Sequence, residues 1–225
     1  MFRVKEILIE LLRAWNLKGE TIDSLSEYAL IKSYQSGQII FFDGEEVNKL
    51  YIIVNGRVKI SKFTEGGKEK MIHILEKGDI INEISLDGRR SSVTAEFIEK
   101  GGIISIAIDP LLRIMEEDFN LTLHILNSVN LKLRQSYRQL RNLGLKKTGP
   151  RIASRLWKLA RDYGKEDREG IEIDLNLSQR ELALMIGTSR ETVSRFLKEL
   201  EREEVIIVGN TQITILDIDA LHDWT

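Results

Sequence analysis

The spacing of apolar and polar residues changes period twice along the chain, and each change marks a different kind of element. Residues 1–15, MFRVKEILIELLRAW, place apolar side chains at helical intervals between charges, so an amphipathic helix is expected there. From residue 20 to residue 108 the pattern is that of short strands, with runs at 38–42, 50–54, 57–63, 70–75, 91–97 and 103–108. Between them stand Asp43-Gly44, Asn55-Gly56, Gly66-Gly67, Gly78-Asp79, Asp87-Gly88 and Gly101-Gly102, turn pairs at a frequency that leaves no room for a long helix. An all-β sandwich or barrel follows. Asn55-Gly56 predicts a two-residue hairpin, because a type I′ turn needs positive φ at both central positions.

Pro110 opens the next regime, a long helix. Phe119, Thr122, Leu126, Val129, Leu133, Ser136, Leu140 and Leu143 recur at alternating intervals of three and four, the heptad seam of a two-stranded coiled coil. A helix packed on its own domain would carry a wider stripe, and Ile125 and Tyr137 do widen this one. Dimerisation is the reading adopted. Gly149-Pro150 breaks the pattern and marks a hinge, after which residues 151–163 begin a further domain.

Within that domain, LSQRELALMIGTSRETVSRFLKEL at 177–200 reads as two short helices joined by a tight turn. Ser178 and Glu181 have capping-box spacing, and Gly187 supplies the permissive backbone of the turn. A second start signal lies at Thr188-Ser189. Val193, Phe196, Leu197 and Leu200 then form an inner face, which leaves Arg190, Glu191, Ser194, Arg195 and Lys198 outside. Arginine can fork onto guanine O6 and N7, and a carboxylate can accept from cytosine N4, both in the major groove. A solvated αα-hairpin would also carry charges outside, but the coincidence of caps, turn glycine and this face favours a DNA-reading helix. Residues 205–208, the turn pair Gly209-Asn210 and residues 211–216 predict a small hairpin, the wing of a winged helix.

Composition narrows the class. The chain has 225 residues, 42% hydrophobic and 30% charged, with two prolines, as expected of a soluble globular protein of two domains or one large one. No apolar run is long enough to span a bilayer, and the N-terminus lacks a signal-peptide core, so no membrane partner and a cytoplasmic location are expected. The absence of cysteine excludes disulfides, thiol redox switching and a cysteine-ligated iron–sulfur cluster. A net charge of −2 does not exclude nucleic acid, because its distribution is uneven. Residues 119–161 hold no Asp or Glu but ten basic residues, and those after Lys146 are candidates for phosphate contact.

A β-roll, a long helix and a winged helix in this order resemble the cyclic-AMP receptor protein family of bacterial transcription regulators, which includes the oxygen-sensing fumarate and nitrate reduction regulator. TSRETVSRFLKELE is similar to the family's recognition helix. The resemblance implies an α+β chain in three parts. These are a cyclic-nucleotide-binding-like jelly roll at 1–109, a dimerisation helix and hinge at 110–147, and a winged helix-turn-helix at 148–225. It implies that Arg190, Glu191 and Arg195 read bases, with Ser194 as the serine of the oxygen-sensing branch and Ser189, Thr192 and Lys198 flanking them. The partners implied are double-stranded DNA with a palindrome of TGA-containing half-sites, a second copy of the chain, and RNA polymerase.

In the roll, GDIINEISLDGRRSSVTA is similar to the family's phosphate-binding cassette. The resemblance makes Glu83, Ile84, Arg90 and Ser91 the effector site: the arginine forks onto a cyclic phosphate and the glutamate accepts from a ribose hydroxyl. Ser136 and Tyr137 match the positions whose hydroxyls bind adenine. The candidate effector is therefore a cyclic nucleotide such as cyclic AMP. The chain departs from the pattern at Asn82, where the family has glycine, and in a spacer three residues shorter before Arg90. With no ligand, Glu83 and Arg90 would form a surface ion pair beside a turn. His73, His124 and His222 are scattered, and none follows Asp79 where carbon-monoxide-sensing relatives place a haem histidine, so no haem is expected.

Two other functions compete. A constitutive regulator of the same family would keep the DNA face and sense nothing. A cupin-like metal enzyme with an interaction domain would need histidines and carboxylates at ligand spacing, which three isolated histidines do not provide. No P-loop, nucleophile elbow or dinucleotide glycine motif occurs, so a non-enzymatic regulator is the reading carried forward.

Overall fold

The structure is a computed structural model that describes residues 2–209 and 211–225. The chain forms two compact units, Met1–Ser136 and Tyr137–Thr225, which divide within one long helix. The first unit opens with α1 (Phe2–Leu12) and α2 (Gly19–Tyr28). The second of these corrects the strand reading from residue 20. Thr21, Leu25 and Ser26 share its buried face, which is mostly polar and so weakly marked in the sequence.

Strands β1 (Ala29–Tyr34), β2 (Ile39–Phe41), β3 (Lys49–Asn55), β4 (Val58–Phe63), β5 (Glu69–Leu75), β6 (Ile80–Ile81), β7 (Thr94–Phe97) and β8 (Gly101–Ala107) follow. They form two antiparallel sheets, ordered β1-β8-β3-β6 and β2-β7-β4-β5. Tyr34, Phe41, Ile53, Val58, Phe97 and Ile103 belong to one core. Leu50, Ile52, Ile104 and Ile106 belong to a second core with Leu8, Leu12 and Leu25 of the N-terminal helices. β3 and β8 are thus buried on both faces, which is why they read as continuous apolar runs.

Asn55-Gly56 is not a hairpin. β3 pairs with β6 and β8, while β4 pairs with β5 and β7, so the pair carries the chain from one sheet to the other. Gly56 has φ of 77°, but Asn55 is not among the positive-φ residues, so a type I′ turn is not formed. Gly56 is needed for proximity as well: a Cβ there would stand 2.8 Å from the Lys100 carbonyl oxygen. Gly101-Gly102, read as a turn, lies inside β8, where a Cβ on Gly101 would meet the Asn55 carbonyl oxygen at 2.3 Å. The tight hairpin lies at Gly66-Gly67, between paired β4 and β5.

The expected single helix from Pro110 is two helices, α3 (Ile108–Glu117) and α4 (Phe119–Leu145). Asp118 between them is extended and buried, and its carboxylate accepts from Asn120 N (2.9 Å), Thr21 Oγ1 (2.6 Å) and Lys18 N (3.2 Å). It therefore ends one helix, caps the next and ties both to α2. Leu121 and Ile125 of α4 enter the second core. The heptad seam stays outside: Phe119 is 74% exposed, Leu126 51%, Leu133 44% and Leu140 64%.

The second unit contains α5 (Thr148–Tyr163), β9 (Gly164–Asp167), β10 (Gly170–Ile173), α6 (Gln179–Ile186), α7 (Arg190–Arg202), β11 (Ile206–Val208), β12 (Ile213–Ile215) and α8 (Ile218–Asp223). α5 starts before Gly149-Pro150, so the break from α4 falls at Lys147, whose backbone is extended, and Pro150 sits in the first helical turn where its missing N–H costs nothing. β11 and β12 pair as the predicted wing, with Ile206 opposite Ile215. Asn210 of the expected turn pair lies outside the described residues. The wing is part of a four-stranded sheet ordered β11-β12-β10-β9. All four residues of β9 are exposed, so no alternation announced it.

Candidate nucleic-acid interface and effector site

α6 and α7 are set by their caps. Ser178 Oγ accepts from Glu181 N at 3.2 Å while Glu181 Oε2 accepts from Ser178 N at 2.8 Å, the reciprocal box expected from the sequence. Gly187 ends α6 in the left-handed conformation, φ 76°, and donates its N–H to the Ala183 carbonyl at 2.8 Å. Two residues later Ser189 starts α7, its Oγ accepting from Thr192 N at 3.2 Å. Val193, Phe196, Leu197 and Leu200 bury the inner face. Phe196 packs edge-on to Trp224 at 5.7 Å, and a Cβ on Gly149 would come within 2.8 Å of its ring, so α5 and the C-terminus fix how α7 is rolled.

With that face buried, Arg190, Glu191, Arg195 and Lys198 are exposed and Ser194 is half-buried among them. Thr192 is half-buried, its hydroxyl 3.1 Å from that of Ser189, so these two act as the cap. The Glu191 carboxyl is held below the usual carboxylate range by its own backbone N–H, then by the Ser189 hydroxyl and the neighbouring Arg190. Two cations and an ionised acceptor thus project from the first two turns of one helix. That arrangement can donate to purine edges and accept from cytosine.

Part of the basic run is used within the second unit. The Arg151 guanidinium donates to the carbonyl of Ile186, the last residue of α6, and so serves as a C-terminal cap. Burial lowers the pKa of both Arg155 and Lys158, against the nearby Asp162, which raises them. Lys158 and Arg161 reach Asp162 at 3.8 and 3.0 Å, and Lys146 donates to Ser154 Oγ at 2.8 Å. The Arg151 guanidinium is thus engaged within the domain, Arg155 is half-buried and Lys147 is exposed.

The cassette is differently disposed. Asn82 takes the left-handed conformation, φ 71°, that glycine would adopt with less strain. Its Nδ2 donates to the carbonyls of Val47 (3.1 Å) and Lys49 (2.9 Å), and its Oδ1 accepts from Ser85 Oγ at 2.8 Å. This fixes the single turn Glu83–Asp87. The Glu83 side chain, 5% exposed, pairs with Lys132 of α4 at 2.5 Å and accepts from Ser128 Oγ at 2.8 Å. The expected pair with Arg90 is not formed: Arg90 is exposed, its Nη1 3.5 Å from the Gly44 carbonyl. Ser91 is buried and donates its hydroxyl to the Val93 carbonyl at 2.9 Å, so it is not offered to a ligand in this arrangement. Ile84 is exposed, Ser136 Oγ donates to the Lys132 carbonyl at 3.0 Å, and Tyr137 is exposed.

Lys132 and Ser128 were not singled out by sequence reasoning. Their signal was a second stripe on α4, Leu121, Ile125, Ser128 and Lys132, parallel to the seam at intervals of four, three and four. The histidines are dispersed: His124 stacks on Trp15 at 5.1 Å and His222 packs edge-on to Trp157 at 5.7 Å. Among the described residues no group of His, Asp and Glu could hold a metal ion, and no helix is long and apolar enough to cross a membrane.

Two family models match the chain, the cyclic nucleotide-binding domain over residues 31–118 and the Crp-like helix-turn-helix domain over residues 150–224. The global nitrogen regulator of Synechococcus elongatus is 30% identical over 194 residues, covering 85% of this chain and 87% of that protein. The CRP-like cAMP-activated global transcriptional regulator of Mycobacterium tuberculosis is 27% identical over 207 residues, covering 91% and 92%. A solved structure of a CooA mutant from Carboxydothermus hydrogenoformans shares the fold, with a TM-score of 0.80 at 24% identity over 96% of this chain and 94% of that one.

Proposed function

The chain belongs to the family of DNA-binding transcription regulators that includes the cyclic-AMP receptor protein and the fumarate and nitrate reduction regulator, and we propose that it acts as a homodimer on a palindromic site with TGA-containing half-sites. The observation that carries this reading is the outer face of α7, where Arg190, Glu191 and Arg195 are exposed on a helix held by caps at its start and by Phe196 beneath. A fork-shaped donor and an ionised acceptor so placed suit guanine and cytosine edges. Ser194 and Lys198 flank them, and the cap residues Ser189 and Thr192 lie at the helix end that meets the backbone.

The exposed seam supports the dimer. Leucine side chains buried against a partner contribute about 1.5–3 kcal/mol each, before the cost of association, and leaving this stripe in water forfeits that. Two-fold pairing would present two copies of α7 to two half-sites. In this reading the protein works in the cytoplasm, with RNA polymerase as a further partner. The roll takes a small anionic effector whose charge is met by Arg90, the exposed cation of the cassette; a cyclic nucleotide is the first candidate, as the names of some relatives suggest. A constitutive regulator remains as a second reading, favoured by the internal bonding of Glu83 and Ser91.

Binding of a TGA-containing palindrome by purified protein, compared with a scrambled duplex across a salt series, tests the DNA reading. Specific binding should be tighter than non-specific binding by at least about a thousandfold.

A further inference from the structure

Lys132 joins three elements at one point. Its ammonium donates to the carbonyl of Ile80 in β6 at 2.6 Å and to Glu83 Oε1 at 2.5 Å, while its own helix, α4, carries the dimer seam. Ser128, one turn earlier, donates to the same Glu83 oxygen at 2.8 Å. Both donors flank seam positions, Val129 and Leu133. Glu83 is therefore a buried carboxylate with a charged and a neutral donor supplied by the protein itself, which is the condition under which a buried charge is tolerated.

We infer that Lys132 is a specificity-determining residue of the roll: it occupies Glu83 as an internal ligand and so rejects effectors that need this carboxylate to accept from a hydroxyl. The inference rests on the reading that the cassette takes an anion at Arg90. Oε1 already accepts from the ammonium and from Ser128, so a ligand hydroxyl must either displace one of these donors or use the other oxygen of a carboxylate whose charge the ammonium already meets. In both cases it gains less than it would from a carboxylate with no cation beside it. Recognition then falls to Arg90, which is exposed, and effectors are selected for their anionic end and not for a ribose hydroxyl. The Glu83–Lys132 contact also ties the cassette turn to α4.

Calorimetric titration of the full chain with cyclic AMP and with 2′-deoxy cyclic AMP tests this. Wild type should not distinguish the two. Lys132→Met frees Glu83 and should prefer cyclic AMP by on the order of tenfold or more, as expected for a hydrogen bond to a charged group. The preference should vanish in Lys132→Met/Glu83→Ala, and Lys132→Arg should behave as wild type. If Lys132→Met fails to fold, as judged by circular dichroism, Lys132→Leu, which also lacks a donor, carries the same comparison. A wild-type preference for cyclic AMP would overturn the inference. So would equal binding of both nucleotides by Lys132→Met; if Arg90→Ala abolishes that binding, the Arg90 reading stands and only the role of Lys132 falls. Binding by none of these proteins would overturn both. Operator binding by the same samples bears on the DNA reading alone.

Discussion

On α7 the fold presents Arg190, Glu191, Arg195 and Lys198 to solvent, while in the cassette it buries Glu83 and Ser91 and satisfies them internally. The two regions hold similar residue types at positions that a resemblance marks as functional. They differ in what surrounds them. α7 lies over buried side chains of its own unit, and its outer side chains are exposed. The cassette turn lies beside α4, whose Ser128 and Lys132 reach it first. An outer helix face can thus stay open through local packing alone, whereas a ligand site depends on what neighbouring elements leave unused.

The largest effect should come from uncoupling the α7 helices from each other without touching either region. Leu133→Lys puts a charge at a seam position where a partner would bury it unpaired. Operator affinity should fall by on the order of 100-fold, the scale of lost bivalency, and sedimentation should show monomers. Dimers that persist would mean that the helix associates by another face.

A second variant sharpens the contrast between buried and exposed carboxylates. Burial acts to raise the Asp118 pKa, but hydrogen bonds from Thr21, then from the N–H groups of Lys18, Asn120 and Leu121, outweigh it and leave the value lowered. A depressed folded-state pKa stabilises the protein above the unfolded value and the contribution is lost as pH falls through the folded one. Asp118→Asn should therefore cost about 1–2 kcal/mol near neutral pH, and the difference from wild type should shrink on acidification below the ordinary carboxylate range. Urea denaturation at several pH values measures it. A gap that widens on acidification would refute the ionised cap.

Removing the exposed cap by Ser189→Ala should cost about 1 kcal/mol of stability and weaken specific DNA binding by loosening the first turn of α7. The smallest effect is expected from Lys158→Ala, less than about 0.5 kcal/mol and equal on all duplexes, because this lysine is half-buried against Asp162. A sequence-dependent loss there would move the readout surface toward α5.

Legibility in the sequence followed the same divide. The helix-turn-helix was readable because its determinants are local: the Ser178–Glu181 box, Gly187 and the Val193–Leu200 spacing lie within a few turns of each other. The exposed apolar stripe of α4 was readable for the same reason. The Asn55-Gly56 hairpin was misread because a turn pair does not say which strands it will join; pairing of β3 with β8 is decided some fifty residues away. β9 was missed because an exposed edge strand needs no apolar alternation. The Glu83–Lys132 pair was invisible for a longer-range reason, since its partners are 49 residues apart and only the packing of α4 on the roll brings them together. Cassette residues were legible as a pattern, but their bonding was not.

The central claim, that α7 reads bases, is tested most directly by measuring Arg195→Ala against wild type on a TGA-containing palindrome and on a scrambled duplex at one salt concentration. The account predicts a loss of about 1–3 kcal/mol on the palindrome, relaxed preference at one base pair of each half-site, and a much smaller loss on the scrambled duplex. Equal losses on both duplexes would contradict it, because they would make Arg195 a phosphate contact.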